Sequence, residues 1–281
     1  MKLTTRVHDR DSAGLVYVYP VVSRRAQGVS VGINLNPNNA CNWRCVYCQV
    51  PDLTFGKGPD IDLGRLEEEL DLMLTELVTG DYMERHVPEG SRRLNDVALS
   101  GNGEPTSSPQ FAEAVRIARS TLDRLGIAEH VSLVLITNGS LVGEERVQAG
   151  LLELAKGRGE VWFKLDRATD AGMEAENSSK QGAARQLRNL ETCARLAPTY
   201  VQTCLYGRRG DPPADAEMEA YLEALAGALE REVPLRGVLL YGIERASHQP
   251  EASELEKLPA TWMQAMADRI RALGLPVRLH L

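Results

Sequence analysis

Three of the five cysteines of this 281-residue chain fall within one short run, Cys41-Asn42-Trp43-Arg44-Cys45-Val46-Tyr47-Cys48. The spacing is C-x3-C-x2-C. Three thiolates so placed can ligate three irons of a cubane 4Fe–4S cluster, and no fourth thiolate lies nearby. Electron-transfer clusters hold every iron with a thiolate. An iron without a protein ligand can instead bind substrate, as the open position of a catalytic metal site does. Zinc and free thiols are the alternatives. Structural zinc wants a second C-x2-C or Cys/His pair, whereas His86 and His130 are isolated. An odd, tightly packed cysteine count is not a disulfide framework. Cys193 falls on a helical stretch and reads as structural.

The run follows an apolar, strand-like segment at 30–36. Further strand candidates lie at 96–100, 131–137, 160–166, 200–206 and 235–241, with a short last one at 275–280. Helical patterns separate them at 63–78, 109–125, 143–156, 181–196, 214–231 and 259–273. Leu66, Leu70, Met73, Leu74 and Leu77 make one apolar stripe of core type on the first. Ser108-Pro109 reads as an N-cap followed by proline at the first helical position. Gly80 and Gly274 read as helix stops. Such alternation implies right-handed βαβ crossovers and a parallel sheet.

Side chains alternate faces along a strand. Ser30, Gly32, Asn34 and Asn36 oppose Val31, Ile33 and Leu35. Trp162, Lys164 and Asp166 oppose Val161, Phe163 and Leu165. Gln202, Cys204 and Tyr206 oppose Val201, Thr203 and Leu205. A doubly wound sheet is covered on both faces and should be apolar on both. A closed eight-fold barrel fills its interior with branched apolar side chains. One polar face points to an open partial (βα)6 TIM-like barrel, helices outside and a ligand in its lumen. Edge strands are the competing explanation. Residues 1–29 precede the first unit; Leu15–Tyr19 could add a strand, so 1–29 is expected to be an arm on a catalytic domain spanning 30–281.

In parallel βα architectures the chemistry sits at the carboxyl ends of the strands. The second unit ends in Ser100-Gly101-Asn102-Gly103-Glu104-Pro105-Thr106, where glycines permit close backbone approach and Glu104 can accept from an ammonium. The third ends in Thr137-Asn138-Gly139-Ser140, which a plain turn also explains. The fourth offers Lys164 and Asp166, a substrate-facing pair or a structural one, because buried charges need partners. The fifth offers Gln202 and Cys204. A thiol in the lumen could quench a substrate radical by giving up hydrogen; buried cysteine is more often a small core residue. The sixth ends in Tyr241-Gly242-Ile243-Glu244-Arg245.

The cysteine spacing with Tyr47 before the last ligand resembles the signature of the radical S-adenosylmethionine (SAM) superfamily. Gly103-Glu104-Pro105 resembles that family's Gly-Gly-Glu-Pro motif, with Asn102 in place of the first glycine. The resemblance runs from about residue 28 to the end. It implies a 4Fe–4S cluster on Cys41, Cys45 and Cys48 whose open iron chelates the amino and carboxylate groups of SAM. It implies that Tyr47 helps hold the adenine, and that the Gly103, Glu104 and Pro105 loop holds the methionine amino group. Thr137, Asn138, Lys164, Asp166 and Gln202 then contact SAM, with Lys164 or Asp166 facing ribose, carboxylate or substrate; Tyr241 and Arg245 are candidates for SAM or substrate. Lys164 and Cys204 are the candidate catalytic residues. The expected activity is reductive cleavage of SAM to a 5′-deoxyadenosyl radical, which takes hydrogen from a substrate. Flavodoxin or ferredoxin is the expected electron donor. Gly-Glu-Pro-Thr and Tyr-x3-Arg look closest to stand-alone Fe–S oxidoreductases related to wyosine-forming enzymes. An iron–sulfur electron-transfer or cluster-carrier protein without SAM chemistry is the alternative.

Composition narrows the partners. The net charge is -7 and charged residues make up 25%, which argues against a nucleic-acid substrate, since phosphates need clustered Lys and Arg. Arg92-Arg93 and Arg208-Arg209 are short pairs that read as loop charges. The tRNA substrate of the wyosine group is therefore not expected here, and with no appended domain a small molecule is. With no second cysteine group after Cys204, auxiliary clusters are not expected. No apolar run approaches the roughly 20 residues that span a bilayer, and Met1–Arg6 lacks a secretory apolar stretch. The expected location is cytoplasmic.

Overall fold

A computed structural model describes Leu3, residues 13–23 and residues 28–281. Of the expected arm, residues 1–2, 4–12 and 24–27 lie outside the described residues. Eight strands form one sheet in sequence order: β1 Val18–Ser23, β2 Gly28–Ile33, β3 Leu94–Leu99, β4 Ser132–Thr137, β5 Gly159–Lys164, β6 Thr199–Leu205, β7 Leu235–Gly242 and β8 Val277–His280. Only β1 runs antiparallel, paired to β2 with Val21 opposite Ser30. β2 to β8 are parallel throughout.

That order decides between the architectures. A doubly wound sheet reverses its strand order at a switch point; this one never does. Right-handed crossovers that always step the same way put every helix on one face. Those helices are α1 Leu63–Val78, the short α2 Tyr82–His86, α3 Phe111–Arg124, α4 Glu145–Leu154, α5 Asp170–Asn177, α6 Ala183–Leu196, α7 Asp215–Glu230 and α8 Ala260–Ala272. β1 and β8 do not pair, so the curled sheet stays an open partial barrel.

The outward face is the core. Val29, Val31, Ile33, Val97, Leu99, Leu133, Leu135, Val161, Phe163, Val201, Val238 and Leu240 are fully buried there. The α1 stripe packs into the same core, with Leu66, Leu70 and Leu74 fully buried. Each such side chain contributes about 1.5–3 kcal/mol. Glu69 on α1 accepts from the backbone N–H groups of Val16 (3.0 Å) and Tyr17 (2.7 Å), which fastens the segment before β1 to the barrel.

Three local expectations are corrected. The first parallel strand ends at Ile33, not 36, because Asn34 Oδ1 accepts from the backbone of Asn36 (3.1 Å) and turns the chain. The helix expected from Pro109 begins at Phe111, because Pro105–Ser107 form a 3-10 turn and the Ser108 carbonyl accepts from Phe111. The extra strand expected over 15–19 runs from Val18 to Ser23.

Candidate active site

The cysteine loop leaves β2 at the carboxyl end of the sheet. Ala40-Cys41 forms a two-residue parallel ladder with Thr54-Phe55. The rest of the loop is clamped from two sides. On one, the carboxyl end of α5 gives carbonyls to the N–H groups of Arg44 (Asn177, 3.1 Å) and Val46 (Glu176, 2.9 Å), and Asn177 Nδ2 donates to Cys45 Sγ (3.3 Å). On the other, Ser247 Oγ donates to the carbonyls of Val46 (2.7 Å) and Cys48 (3.0 Å). The His248 N–H donates to Cys48 O (2.9 Å), and Arg44 makes a bidentate pair with Glu251 (2.8 and 2.9 Å). The loop's shape is thus fixed by residues far away in sequence.

The Gly101–Pro105 loop lies against it. Gly101 has φ +136°, and a Cβ there would meet Asn34 Oδ1 at 2.5 Å; one on Gly103 would meet the Ala40 carbonyl at 2.0 Å. Only glycine permits this approach. Asn102, which stands where the family motif has glycine, donates from its backbone to Asn34 Oδ1 (3.1 Å) and from Nδ2 to Asn39 Oδ1 (2.6 Å). Glu104 is buried. Its Oε1 accepts from Thr106 N (3.1 Å), Thr106 Oγ1 (2.6 Å) and Thr137 Oγ1 (2.6 Å), and its Oε2 from Asn138 N (2.6 Å). Burial pushes its carboxyl up, against the pull of those donors. Asn138 Nδ2 reaches Asn42 Oδ1 (2.8 Å), joining the third strand end to the cysteine loop.

A second polar chain crosses from β5. Lys164 Nζ donates to Tyr47 Oη (2.5 Å) and sits over the Tyr47 ring, 4.6 Å from its centroid. Tyr47 Oη in turn donates to Asp166 Oδ2. Asp166 also accepts from Asn177 Nδ2 (3.0 Å) and from the backbone N–H of Cys204 (2.9 Å).

One cavity of about 380 Å³ opens onto all three segments, within the range of small-molecule sites. Cys41, Cys45, Cys48, Tyr47, Gly103, Glu104, Thr137, Asn138, Lys164, Gln202, Cys204, Tyr241 and Arg245 line it. Pro105 and Asp166, also expected to touch ligand, do not. Pro105 is turned into the 3-10 turn, and Asp166 is used up in holding Tyr47, Asn177 and the β6 backbone. Cys204 packs with Val46, Tyr47 and Tyr206 at 1% exposure. The inward strand residues Ser30, Gly32, Trp162, Lys164, Gln202 and Cys204 all line the cavity, so the polar faces border a lumen rather than a sheet edge. β1, from the expected arm, supplies Tyr19, Val21 and Ser23 to the wall.

The donor set suits a cluster. Burial raises the Cys41 thiol to about 12 and the Cys45 thiol to about 11, the latter despite the nearby Lys164 cation. Both are protonated at neutral pH, and iron must displace those protons to bind. Among the described residues no three His, Cys, Asp or Glu side chains gather around a point that could hold a single metal ion. Three thiols on one cavity wall instead suit a cluster in which each takes its own iron.

Two features of the site escape sequence reasoning. Helix α5, whose end shapes the cysteine loop, is only eight residues long with few buried apolar positions; its cap, Thr169 Oγ1 accepting from Gly172 N (2.9 Å), is its one legible sign. The other is Asp96 on β3, in phase with the inward Ala98 and Ser100. A lone charge opening an apolar strand was the available signal. Burial pushes the Asp96 carboxyl from 3.8 up to about 6, Ser30 opposing and Glu160 adding to the rise. Between about pH 4 and 6 the folded chain holds a proton that the unfolded chain has released, so this group's contribution to stability falls as pH rises through that window. Asp96→Asn is therefore expected to be more stable than the parent at about pH 8, by roughly 3 kcal/mol, with the gain gone below about pH 4. Thermal melts at the two pH values read this directly; identical melting temperatures at both would contradict it.

Known proteins resemble this chain in sequence and in fold. The chain matches the family model described as the Radical SAM superfamily over residues 35–218. It is 28% identical over 147 residues to the UPF0026 protein MJ1312 of Methanocaldococcus jannaschii, covering 52% of this chain and 39% of that protein. It is 25% identical over 136 residues to the GTPase Obg of Brachyspira hyodysenteriae, covering 47% and 17%. The chain thus spans well under half the length of these curated relatives. Among solved structures, a radical SAM methyltransferase from Sphaerobacter thermophilus has the same fold, with a TM-score of 0.60 at 16% identity over 94% of this chain and 68% of that one. TYW1 with a lysine-pyruvate adduct bound gives 0.58 at 14% identity over 89% and 74%. With the family model covering most of the chain and the barrel and cysteine loop laid out as described, this protein is an enzyme that belongs to the radical SAM superfamily.

Proposed function

We propose that this enzyme reductively cleaves SAM at a 4Fe–4S cluster held by Cys41, Cys45 and Cys48 and acts on a small-molecule substrate held in the lumen. The observation that carries this reading is the sharing of one cavity by three thiols, the Glu104 carboxylate and the Lys164 ammonium, at the carboxyl ends of parallel strands. When bound, the cluster and SAM supply a 5′-deoxyadenosyl radical, which removes a hydrogen atom from substrate. The chain's own residues bind and orient. Glu104 accepts from the methionine ammonium, with Gly103, Thr137 and Asn138 completing that wall. Lys164 offers its cation to a carboxylate of SAM or substrate. Tyr47 meets adenine with its ring, since its hydroxyl is committed to Asp166. Asp166 positions these groups from behind. Gln202 and Tyr241 contribute polar contacts from the next two strands. For Cys204 the close packing with Tyr47 and Tyr206 favours the core role over hydrogen donation. Residues 30–281 form the catalytic unit, with β1 completing its wall. A flavodoxin or ferredoxin supplies the electron.

The test is anaerobic reconstitution with iron and sulfide, reduction, addition of SAM and chromatography for 5′-deoxyadenosine. Product is expected. A cluster that forms but neither cleaves SAM nor changes its spectrum when SAM is added would sink the reading in favour of electron carriage.

A further inference from the structure

The cavity reaches well below the cysteine loop. Along β3, Asp96 lies four residues before Ser100, about 13 Å deeper at the usual rise per residue. By strand register Val21 and Ser30 are level with it, Tyr19, Gly32 and Ala98 form the next inward row above, and Ile136 and Trp162 lie higher, level with Ser100; all line the cavity. Gly32 makes room for the Tyr19 ring, which a Cβ there would strike at 2.1 Å; Tyr19 Oη is held by Ser100 Oγ (3.0 Å).

Asp96 is 8% exposed, and its Oδ1 accepts from Ser30 Oγ. No hydrogen bond or ion pair to Oδ2 is found among the described residues, and no described cation pairs with the carboxylate. The neighbouring charge is Glu160, itself bonded to Trp162 Nε1 (3.0 Å), and it repels. Buried carboxylates are otherwise paired. A buried carboxylate with one oxygen unpaired among the described residues, facing a cavity beside a like charge, marks a binding position.

We propose that this floor is the substrate subsite and that Asp96 there pairs with the protonated nitrogen of a small amine-bearing substrate. Tyr19 supplies an aromatic face suited to such a cation, and Val21 and Ala98 receive its carbon skeleton, which extends up the cavity toward Ile136 and Trp162. The subsite rests on the reading of the lumen as the substrate chamber, and it assigns the chemical class that the chamber selects. Lys164 at the mouth, of opposite sign, orients an amine away from itself and toward the floor.

The test is ligand-observed NMR (saturation transfer) with n-butylammonium and 2-phenylethylammonium against the matching alcohols and pentanoate. It is run on reconstituted enzyme with SAM and on cluster-free protein. The expected result is binding of the ammonium probes at least about 10-fold tighter than the alcohols, with that preference lost in Asp96→Asn. Circular dichroism confirms that the variant is folded. Equal binding of ammonium and alcohol, or a preference that survives Asp96→Asn, overturns the proposal. Arg24 and Arg25 lie outside the described residues. If the ammonium preference appears only in an Arg24→Ala/Arg25→Ala variant, Asp96 serves an internal ion pair and the proposal also fails. The 5′-deoxyadenosine assay on the same preparations reports separately on SAM cleavage, so a failed subsite and a failed reaction class give different patterns.

Discussion

Cys45→Ala is expected to abolish the iron–sulfur chromophore and reduce 5′-deoxyadenosine formation by roughly 10³-fold or more, while leaving the fold intact. The two halves of that result have different causes. A cubane cluster held by three thiolates has no spare protein ligand, so removing one leaves two irons unheld by the chain. The nearest other thiols, Cys193 and Cys204, are fixed in packed positions on α6 and β6. The loop itself does not depend on its sulfurs. Its backbone is held by Asn177, Glu176, Ser247 and His248, and by the Arg44–Glu251 pair. The thiol of Cys45 has one hydrogen-bond partner among the described residues, Asn177 Nδ2, and a weak donor–sulfur contact adds little to stability. Thermal melting of the cluster-free variant should therefore lie close to that of the cluster-free parent. Iron and sulfide content, absorbance and product assay read the first half. A variant that assembles a normal cluster would mean that Cys45 is not a ligand.

How much of this was legible follows from which interactions are local. Helix α1 is found where the sequence places it, 63–78, because its stripe of five apolar residues repeats with a helical period and every one is buried. The lumen was readable because strand alternation needs only neighbours: Lys164 and Gln202 face inward as the period-2 pattern requires. What depends on distant partners was not readable. The Asn34 carboxamide that turns the chain after β2 is held in place by also accepting from Asn102, 68 residues on. Asp166 sits in phase with Lys164, yet Tyr47, Asn177 and the Cys204 backbone converge on it and keep it out of the cavity. Helix α5 has too few buried apolar positions to announce itself, and it acts through two backbone carbonyls, which no side-chain pattern encodes, and through the Asn177 amide, whose partners Cys45 and Asp166 lie elsewhere in the chain. Asp96 belongs to a third kind. Its inward phase was visible, but its lack of a described cationic partner emerges only once the surrounding strands are assembled.

Glu104→Ala is expected to lose several kcal/mol of stability and to weaken SAM binding by roughly 10²-fold or more, and Glu104→Gln separates the two effects. The carboxylate collects two backbone N–H groups and two hydroxyls from two separate segments, its own loop and the end of β4. Alanine removes the acceptor for all four. The hydroxyls can rotate to other partners, but the N–H groups of Thr106 and Asn138 stay buried, at about 1–3 kcal/mol each. Part of that loss is offset, because burial already disfavours the charge and holds the carboxyl above its usual range. Asn138 also carries the bond to Asn42, so slackening there reaches the cysteine loop. Glutamine keeps the shape and one acceptor. Its amide must point either at Asn138 N–H or at Thr106 N–H, so one donor faces another and the penalty falls to about 1–3 kcal/mol. The charge-assisted bond to an ammonium is lost in both variants, and bonds to charged groups are roughly twice as strong as neutral ones. Melting temperature should therefore grade parent, glutamine, alanine, whereas SAM affinity, measured on reconstituted protein that retains its cluster, should drop nearly as far for glutamine as for alanine. If Glu104→Gln instead binds SAM like the parent, the carboxylate is a brace between the loops and the methionine ammonium is held by the backbone around it.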